Sequence, residues 1–303
     1  MGLWKRDESK NIIIMKFGII YWNIVEEDLS KLEFQNVLKE LMVHNELLVL
    51  AEPAGEKNRN ALERLGLYQV ENPVNLQNAK KRYTPRLYIK KNLLSEIVIR
   101  EEDFTETIYR KAKENPMRGR FVAFELKNQP FVFVAVHLIS SVDSDESDKH
   151  LEAQKLIERL VRLEGENNSK LLIFGDFNMH PFSKGMVAPT GFYCTPKLSD
   201  LAIQKAGFYN PCFGLMGDRD FVSNIEKSPA THYYSRANLK WALFDQVIFR
   251  AELADVFDFK SLKIITEVNN TKLADEEGKP NATRFSDHFP IQFSLNLNHE
   301  NQL

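Results

Sequence analysis

One stretch of the sequence, residues 170–181 (KLLIFGDFNMHP), limits the possible folds of this chain most. It opens with a nearly continuous apolar run, 170–174, which is typical of a strand buried on both faces. Asp176 and Asn178 then follow, with one apolar residue between them. Residues two apart in an extended chain share a face, so this carboxylate and carboxamide project together from a strand end. The pattern fits either an Asx-type turn or a functional site at the rim of a sheet.

Short apolar runs and amphipathic stretches alternate along the chain. The apolar runs predict further strands at residues 17–24, 47–50, 87–89, 97–100, 121–126, 131–138, 241–250, 262–266 and 291–295. A helix is predicted from Ser30, because Ser30 and Glu33 have the spacing of a capping box. Two more helices are predicted over 147–163 and 199–206, the second ended by Gly207. This mixture of elements predicts an α/β fold.

A chain of 303 residues, 43% of them hydrophobic, is long enough to bury a large core. Because no linker rich in Ser, Gly or Pro divides it, we expect a single catalytic domain over residues 15–298. Residues 1–14 are predicted to be a flexible extension. Residues 55–79 and 208–235 read as polar or aromatic loops, since neither has a clear helix or strand period.

The charges of the chain nearly balance. There are 40 basic and 42 acidic side chains, which give a formal net charge of -2. An anionic substrate must therefore be bound by a local basic patch or by a metal ion rather than by a generally basic surface. One basic and aromatic cluster is available, formed by Lys80, Lys81, Arg82, Tyr83 and Arg86. Such a cluster is as typical of a solvated surface as of a phosphate-binding site.

The cysteines and the N-terminus bear on location. Cys194 and Cys212 fit neither a disulfide framework nor a C-x-x-C metal site, which favours a reducing, cytoplasmic setting. Residues 1–11 are too polar for a secretory signal, and the apolar run that follows is broken by Lys16 and Asn23. We therefore expect no association with a membrane. The oligomeric state stays open.

Polar residues recur where the predicted strands end. They are Asn23, Glu52, His137, Asp176, Asn178, Asp245, Asp287 and His288. Each has a structural interpretation when taken alone, such as a strand-end cap, a rim histidine or a buried acid with a partner. Their shared position favours one common site. Oxygen ligands and two imidazoles, without thiolates, suit Mg2+ or Mn2+ and phosphate-ester chemistry rather than structural zinc.

The order and spacing of these residues resemble the endonuclease/exonuclease/phosphatase superfamily, which includes deoxyribonucleases, abasic-site endonucleases, inositol-polyphosphate phosphatases and neutral sphingomyelinases. The resemblance extends from Asn23 to Pro290, and it rests on the motifs GDFN at 175–178 and SDHFP at 286–290. It implies a four-layer α/β/β/α sandwich of two mixed sheets with outer helices. The active site would lie at one edge of that sandwich.

The resemblance also implies a role for each site residue. Glu52 would be the main ligand of Mg2+ or Mn2+, supported by Asn23 and Asp287. The catalytic set would comprise His137, Asp176, Asn178, Asp245 and His288. Within that set, one carboxylate would orient or deprotonate the attacking water and the carboxamide would hold the water or a phosphate oxygen.

The two histidines would act on the phosphate. His288 would donate to the phosphate or accept the proton of the water, and Asp245 would fix its tautomer. His137 would assist on the leaving-group side. In deoxyribonucleases of this superfamily, a Glu that follows the counterpart of Tyr83 orients this histidine, but here Pro85 occupies that position. His137 is therefore expected to lack a carboxylate partner.

These features favour a metal-dependent phosphodiester hydrolase, and a nuclease acting on DNA or RNA is the leading hypothesis. A phosphatase or phospholipase-type hydrolase of a small or lipid phosphate ester is the alternative. Abasic-site enzymes carry an acid two residues after the first-strand Asn, where this chain has Val25, so abasic-site repair is not assigned. A non-catalytic binding scaffold is disfavoured, because the expected ligands are all present.

Overall fold

The computed structural model describes residues 4–7, 12–25, 27–53, 55–71, 84–100, 120–140, 145–164, 170–220 and 223–299. Within these ranges two sheets of seven strands each form the centre of the fold. Strands are numbered in chain order. The first sheet contains β1 (Trp4–Asp7), β2 (Ile12–Asn23), β3 (Leu47–Ala51), β4 (Leu67–Gln69), β5 (Arg86–Lys90), β17 (Lys263–Ile264) and β20 (Ile291–His299). The second sheet contains β6 (Ile97–Ile99), β7 (Arg120–Leu126), β8 (Val132–His137), β9 (Leu171–Asp176), β10 (Cys194–Thr195), β11 (Phe208–Tyr209) and β16 (Asp245–Phe249).

Both sheets are mixed. Across the first sheet the order is β17, β20, β2, β3, β5, β4, with β1 paired to β2. Across the second it is β10, β11, β16, β9, β8, β7, β6. In each sheet a central pair is parallel: β2 with β3 in the first and β8 with β9 in the second. β20 runs antiparallel to β2, and β16 runs antiparallel to β9.

The remaining elements are helices and short hairpins. The α-helices are α1 (Leu32–Leu41), α2 (Gly55–Arg64), α3 (Glu146–Glu164) and α4 (Lys184–Val187). The 3-10 helices are Lys91–Glu96, Leu198–Ala202, Pro211–Leu215, Ala251–Asp255 and Phe259–Ser261. The hairpin strands are β12 (Arg219–Asp220), β13 (Ile225–Glu226), β14 (His232–Tyr233), β15 (Trp241–Ala242), β18 (Glu267–Val268) and β19 (Thr271–Lys272).

Successive side chains of a strand point to opposite faces of its sheet, and each sheet is covered on both faces, so the fold has four layers. In β2, Tyr21 faces the second sheet and packs edge-on against Phe174 of β9, with ring centroids 6.2 Å apart. The next residue, Trp22, points to the opposite face and packs on Phe34 of α1, at 4.9 Å. On the far side, Ile173 of β9 belongs to a separate core cluster that includes residues of α3. The layers therefore run helix, sheet, sheet, helix, which confirms the predicted sandwich.

Two sequence predictions for residues 30–79 are wrong. Ser30 does not cap the first helix: its hydroxyl donates to Asp28 Oδ1 at 2.6 Å, and α1 begins at Leu32 with Lys31 at its N-cap. The predicted loop 55–79 contains α2 and β4. α2 has few apolar side chains, so its helical period is weak in the sequence.

The predicted helix 199–206 is also wrong, because the structure has a five-residue 3-10 helix, Leu198–Ala202, in its place. Only Leu201 of this element is buried, and Ile203 is 89% exposed, so no apolar stripe supports a longer helix.

In the predicted extension, β1 pairs with the start of β2. The boundaries of the extension and of the domain stay predictions. No helix in the described ranges is long and apolar enough to cross a membrane.

Arg250, directly after β16, forms a buried ion pair that holds α3 to the second sheet. Its Nε and Nη2 donate to the two carboxylate oxygens of Glu164 at 3.0 and 2.8 Å, and its guanidinium lies 3.9 Å from the ring centroid of Phe208. The Glu164 side chain is 1% exposed. An Arg250→Met variant would leave this carboxylate buried without its cation, so we expect about 3–5 kcal/mol of lost stability in urea unfolding.

The control for this prediction is Arg59→Met. Arg59 also contacts two glutamates, Glu63 and Glu71, but its side chain is 42% exposed. Water screens such pairs, so we expect a loss of about 0–1 kcal/mol. Equal destabilisation by the two substitutions would contradict the structural role assigned to Arg250.

Candidate active site

The sheet topology brings the predicted site residues to one edge of the sandwich. Because β2 and β3 are parallel, Asn23 at the end of β2 pairs with Ala51, and Glu52 follows directly. In the second sheet β8 and β9 are also parallel, and their last residues, His137 and Asp176, lie side by side. The carboxyl ends of both central pairs therefore meet at the same edge.

The antiparallel strands contribute from the opposite direction. β16 begins at Asp245, which pairs with Asp176 at the end of β9. Residues 286–290 directly precede β20, which runs antiparallel to β2. Trp22 holds this segment in place, because its Nε1 donates to the backbone oxygen of His288 at 2.8 Å. Strand starts and strand ends thus supply one common site.

Asp176 lies at the centre of this site and is 1% exposed. Its Oδ1 accepts a hydrogen bond from the backbone N–H of Asn178 at 2.8 Å, and its Oδ2 accepts one from Nδ2 of Asn23 at 3.1 Å. Two imidazoles approach the same Oδ2: Nε2 of His137 lies 3.9 Å away and Nε2 of His288 lies 4.0 Å away. The carboxylate is thus oriented by amides and flanked by two histidines.

His288 forms a buried ion pair with Asp245. Its Nδ1 lies 2.8 Å from Oδ2 of Asp245, a carboxylate with no solvent exposure. Burial disfavours the charged imidazolium, but the negative charges of Asp245, Asp176 and Asp287 outweigh it and raise the pKa of His288 to about 10. At neutral pH His288 therefore carries both ring protons, and Nε2–H is directed toward the site as a donor.

Asp287 lies on the other side of His288. Its Oδ2 is 3.6 Å from Nε2 of His232, and its Oδ1 is buried with no hydrogen-bond partner among the residues that the structure describes. Burial acts to raise the pKa of Asp287, but the contact with His232 and the charges of His288 and His232 lower it overall. Asp287 is therefore a carboxylate at neutral pH, with one buried oxygen available to a ligand.

Glu52 is held at the site by unusual backbone geometry. Its φ is 49°, in the left-handed region that residues with a side chain rarely adopt. In this conformation its Oε1 lies 3.4 Å from Nε2 of His137. The expectation that His137 lacks a carboxylate partner is therefore wrong: its partner is Glu52, which follows β3 of the other sheet, and not a residue at the position of Pro85.

Among the residues that the structure describes, two groups of carboxylates and imidazoles have ligand atoms within 4.8 Å of one another, close enough to bind a metal ion. They are His232 with Asp287 and His288, and Asp176 with Asp245 and His288. Of the two carboxylates predicted as metal ligands, Asp287 belongs to one group, whereas Glu52 lies beside His137.

Solved structures of other proteins share this architecture over almost the whole chain. ANGEL2, a 2',3'-cyclic phosphatase, matches with a TM-score of 0.58 and 14% identity, over 98% of this chain and 98% of that one. The human Nocturnin catalytic domain matches at 0.53 and 14%, over 97% and 96%. NExo from Neisseria, a 3' phosphatase bound to a product DNA hairpin, matches at 0.53 and 15%, over 93% and 100%.

The chain has the fold of the endonuclease/exonuclease/phosphatase superfamily. This finding confirms the fold that the two sequence motifs imply. No family model matches the sequence, and no curated protein matches it either. At identities of 14–15% the structural matches establish a common fold, so the chemistry of this chain must be argued from its own site.

The endonuclease/exonuclease/phosphatase fold explains why the GDFN motif begins with glycine. Gly175 has a φ of 131°, and a Cβ at this position would lie 2.2 Å from the backbone oxygen of Val136 in β8. That same oxygen accepts a hydrogen bond from Tyr21 of the first sheet, at 2.9 Å. A side chain at position 175 would thus separate β8 from β9 and disturb the contact between the sheets directly beneath the site.

Sequence reasoning missed Lys149, which supports the loop that carries Asn178. Lys149 lies on α3 and is buried, and its Nζ donates to the backbone oxygen of Asn178. Asn178 itself has a φ of 51°, and its Nδ2 donates to the backbone oxygen of Leu138 at 2.9 Å. The signal was present, because Lys149 precedes Ala153 by four residues and so lies on the apolar face of the helix.

Sequence reasoning also missed His232, which lies in the predicted aromatic loop 208–235. The structure places it in β14, where its backbone forms a bridge with His288. The two rings lie 4.5 Å apart, and His232 contacts Asp287 as well. No local pattern marks this residue, because the contact joins two segments that are distant in sequence.

The predicted basic and aromatic cluster is only partly described. Lys80, Lys81, Arg82 and Tyr83 lie outside the described residues. Arg86 is the first residue of β5 and pairs with Leu50 of β3, so its backbone lies near the edge that carries the site. A role of the cluster in binding substrate stays a prediction.

Proposed function

We propose that this protein is a metal-dependent phosphodiester hydrolase that cleaves a nucleic acid by direct attack of water. The observation that carries the proposal is Asp176, a buried carboxylate hydrogen-bonded by Asn23 and Asn178 and flanked by His137 and His288. This arrangement combines a base for water with cationic and neutral donors for a phosphate, as hydrolysis without a covalent intermediate requires.

The solved structures with this fold support the class of reaction. One is a 3' phosphatase bound to a product DNA hairpin, and another is a 2',3'-cyclic phosphatase. A third is the endonuclease domain of TRAS1, a telomere-specific retrotransposon, with a TM-score of 0.51 and 11% identity. All three are enzymes that hydrolyse phosphate esters; one of them is an endonuclease and another is bound to DNA.

Asp176 and His288 would divide the proton chemistry between them. The orienting hydrogen bonds leave the Asp176 carboxylate facing the space between the two histidines, where it would align a water molecule and accept its proton. His288 is already protonated beside Asp245, so it suits the donation of a hydrogen bond to the phosphate rather than the acceptance of a proton. Of the two roles that the resemblance left open for His288, we therefore propose the donor.

The other polar groups would hold the phosphate. One N–H of the Asn178 carboxamide is used by Leu138, which leaves the second as a donor for a phosphate oxygen or the water. His137, beside Glu52, lies on the opposite side of Asp176 from Asp245 in the strand order of the second sheet. We assign His137 to the leaving group.

The residues present fit a hard divalent cation. Asp287 offers a buried oxygen that lacks a hydrogen bond within the described residues, and Glu52 is fixed toward the site by its backbone. The oxygen atoms of Glu52, Asp287 and Asn23 are ligands of the hard kind that Mg2+ and Mn2+ prefer. Such an ion would neutralise phosphate charge and stabilise the charge that develops during hydrolysis.

Glu52→Gln should weaken metal binding, because it replaces a charged oxygen ligand by a neutral amide of the same size. We expect the affinity for Mn2+ to fall by about 10-fold or more in calorimetric titration, because even the loss of a group that only supports a metal ligand costs about that much. Glu252→Gln, at an exposed position on a 3-10 helix, is the matched control and should titrate like the wild type. An unchanged Mn2+ titration in Glu52→Gln would remove this residue from the metal site.

The substrate class can be tested with four phosphate esters at equal concentration. These are single-stranded DNA, single-stranded RNA, p-nitrophenyl phosphate and vesicles that contain sphingomyelin, each assayed with Mg2+ and with Mn2+. The proposal predicts that a nucleic acid is hydrolysed fastest. Preferential hydrolysis of the monoester or of the lipid would instead support the alternative of a phosphatase or phospholipase-type enzyme.

A further inference from the structure

A row of ring side chains leads from the catalytic centre to the surface, and we refer to it as the ring row. Its members, in spatial order, are His288, His232, Phe244, His180 and Phe182. The successive ring centroids lie 4.5, 5.6, 5.4 and 5.2 Å apart. Each ring thus contacts the next within the range of aromatic pairing.

The ring row begins at a buried ring and ends at an exposed one. His288 is 7% exposed, and Phe182 at the other end is 50% exposed. The three rings between them are partly buried. The row therefore begins beside the group that would donate to the phosphate and ends with an aromatic side chain in contact with water.

The outer half of the ring row is a neutral aromatic surface held in a fixed turn. The rings of His180 and Phe182 are nearly parallel, at 8°, and the backbone N–H of Ser183 donates to the oxygen of His180 at 2.9 Å. Burial and the charge of Lys149 lower the pKa of His180, so its ring is uncharged at neutral pH. The residue between the two rings is Pro181, which restricts the backbone further.

Lys149 also adds a positive charge beside this surface. Its Nζ lies 5.7 Å from the ring centroid of Phe244, within reach of a cation–π contact. A planar, electron-rich group that follows a bound phosphate would thus meet aromatic faces next to a positive charge. Nucleobases present such a π-face whatever their sequence, whereas the saturated ring of an inositol phosphate and the chains of a lipid do not.

We propose that the ring row, through Phe182 and His180, is a stacking subsite for the nucleobase next to the scissile phosphate. This inference rests on the proposed function, and it gives a reason for the preference for a nucleic acid over a small or lipid phosphate ester. The subsite reads a base by its aromatic face and not by its hydrogen-bonding edge, so it selects for a base without selecting which one.

The test uses substrates with a single phosphodiester bond, so that the flanking nucleosides are known. Thymidylyl-thymidine is compared with an analogue in which tetrahydrofuran abasic units replace both nucleosides, and kcat/KM is measured for each. We expect the wild type to prefer the dinucleotide by about 10-fold or more, and Phe182→Ala to bring the ratio close to one. The control is Phe259→Ala. Phe259 is 44% exposed and lies on the 3-10 helix Phe259–Ser261, outside the ring row, so this variant should keep the wild-type ratio.

A binding experiment separates this inference from the proposed function. A dinucleotide that carries 2-aminopurine is titrated into the Asp176→Asn protein with Mg2+, and stacking on the subsite should quench its fluorescence. If the fluorescence is quenched and Phe182→Ala abolishes the quenching, the subsite is supported. This holds even if the wild type cleaves no nucleic acid, because absence of cleavage contradicts only the proposed function. Equal cleavage of both substrates, or quenching that Phe182→Ala leaves unchanged, would overturn the subsite.

Discussion

Asp176→Asn should lower kcat by about 10²–10⁴-fold, the range expected for the loss of a positioned general base. The amide has the size and shape of the carboxylate, but it cannot accept a proton from water at neutral pH. The surrounding hydrogen bonds from Asn23 and the Asn178 backbone orient this one side chain toward the two histidines. No other carboxylate in the described part of the site has both imidazoles beside the same oxygen.

The fold should survive this substitution. Asp176 accepts hydrogen bonds at both oxygens, and Asn can keep one of them, so the expected loss is about 0.5–1.5 kcal/mol. Turnover and thermal unfolding are measured on the same samples. Asp255→Asn, an exposed position on a 3-10 helix, is the matched control and should match the wild type in both. Turnover within about 3-fold of the wild type would exclude Asp176 as the base, since a base contributes about 100-fold at least.

The second large effect is expected for His288→Asn. The Asn side chain places an N–H near the position of Nδ1, so the hydrogen bond to Asp245 can be kept while the donor at Nε2 is lost. Removal of one preorganised donor to a developing negative charge costs about 10²–10³-fold in kcat. We expect a loss of this size in single-turnover hydrolysis with saturating metal.

His288→Asn and truncation of the side chain in His288→Ala differ in their effect on Asp245. His288→Ala would leave a buried carboxylate without its cation, and its loss of activity could then reflect loss of structure. The Asn variant reduces that difficulty, and circular dichroism checks the fold. His44→Asn, an exposed histidine after α1, is the control. If His288→Asn hydrolyses substrate at the wild-type rate, the donor role assigned to Nε2 is wrong.

The sequence contained enough information to predict the centre of the site, for a physical reason. Asp176 and Asn178 follow an apolar run, and strand ends that belong to parallel pairs meet at one edge of a sheet. The same reasoning predicted Asp245 and His288, which form the buried ion pair. Periodicity and strand-end position depend on local sequence alone, so they can be read without knowledge of the tertiary fold.

The parts that could not be predicted depend on contacts between distant segments. His232 reaches Asp287 and His288 only because β14 crosses the site, and nothing near it in sequence marks that position. The partnership of Glu52 with His137 joins the two sheets, so it follows from how they pack. The left-handed backbone at Glu52 is likewise invisible in the sequence, since Glu does not favour it.

Hydrolysis of nucleic acid phosphodiesters with a divalent metal can be tested in a single cleavage assay. Labelled single- and double-stranded DNA and RNA are incubated with the wild-type protein in Mg2+ or Mn2+, then with chelator, then with the metal restored. We expect cleavage of at least one of these nucleic acids, its loss on chelation and its return with metal. No cleavage of any of them in either metal, or cleavage that chelator leaves unchanged, would contradict it.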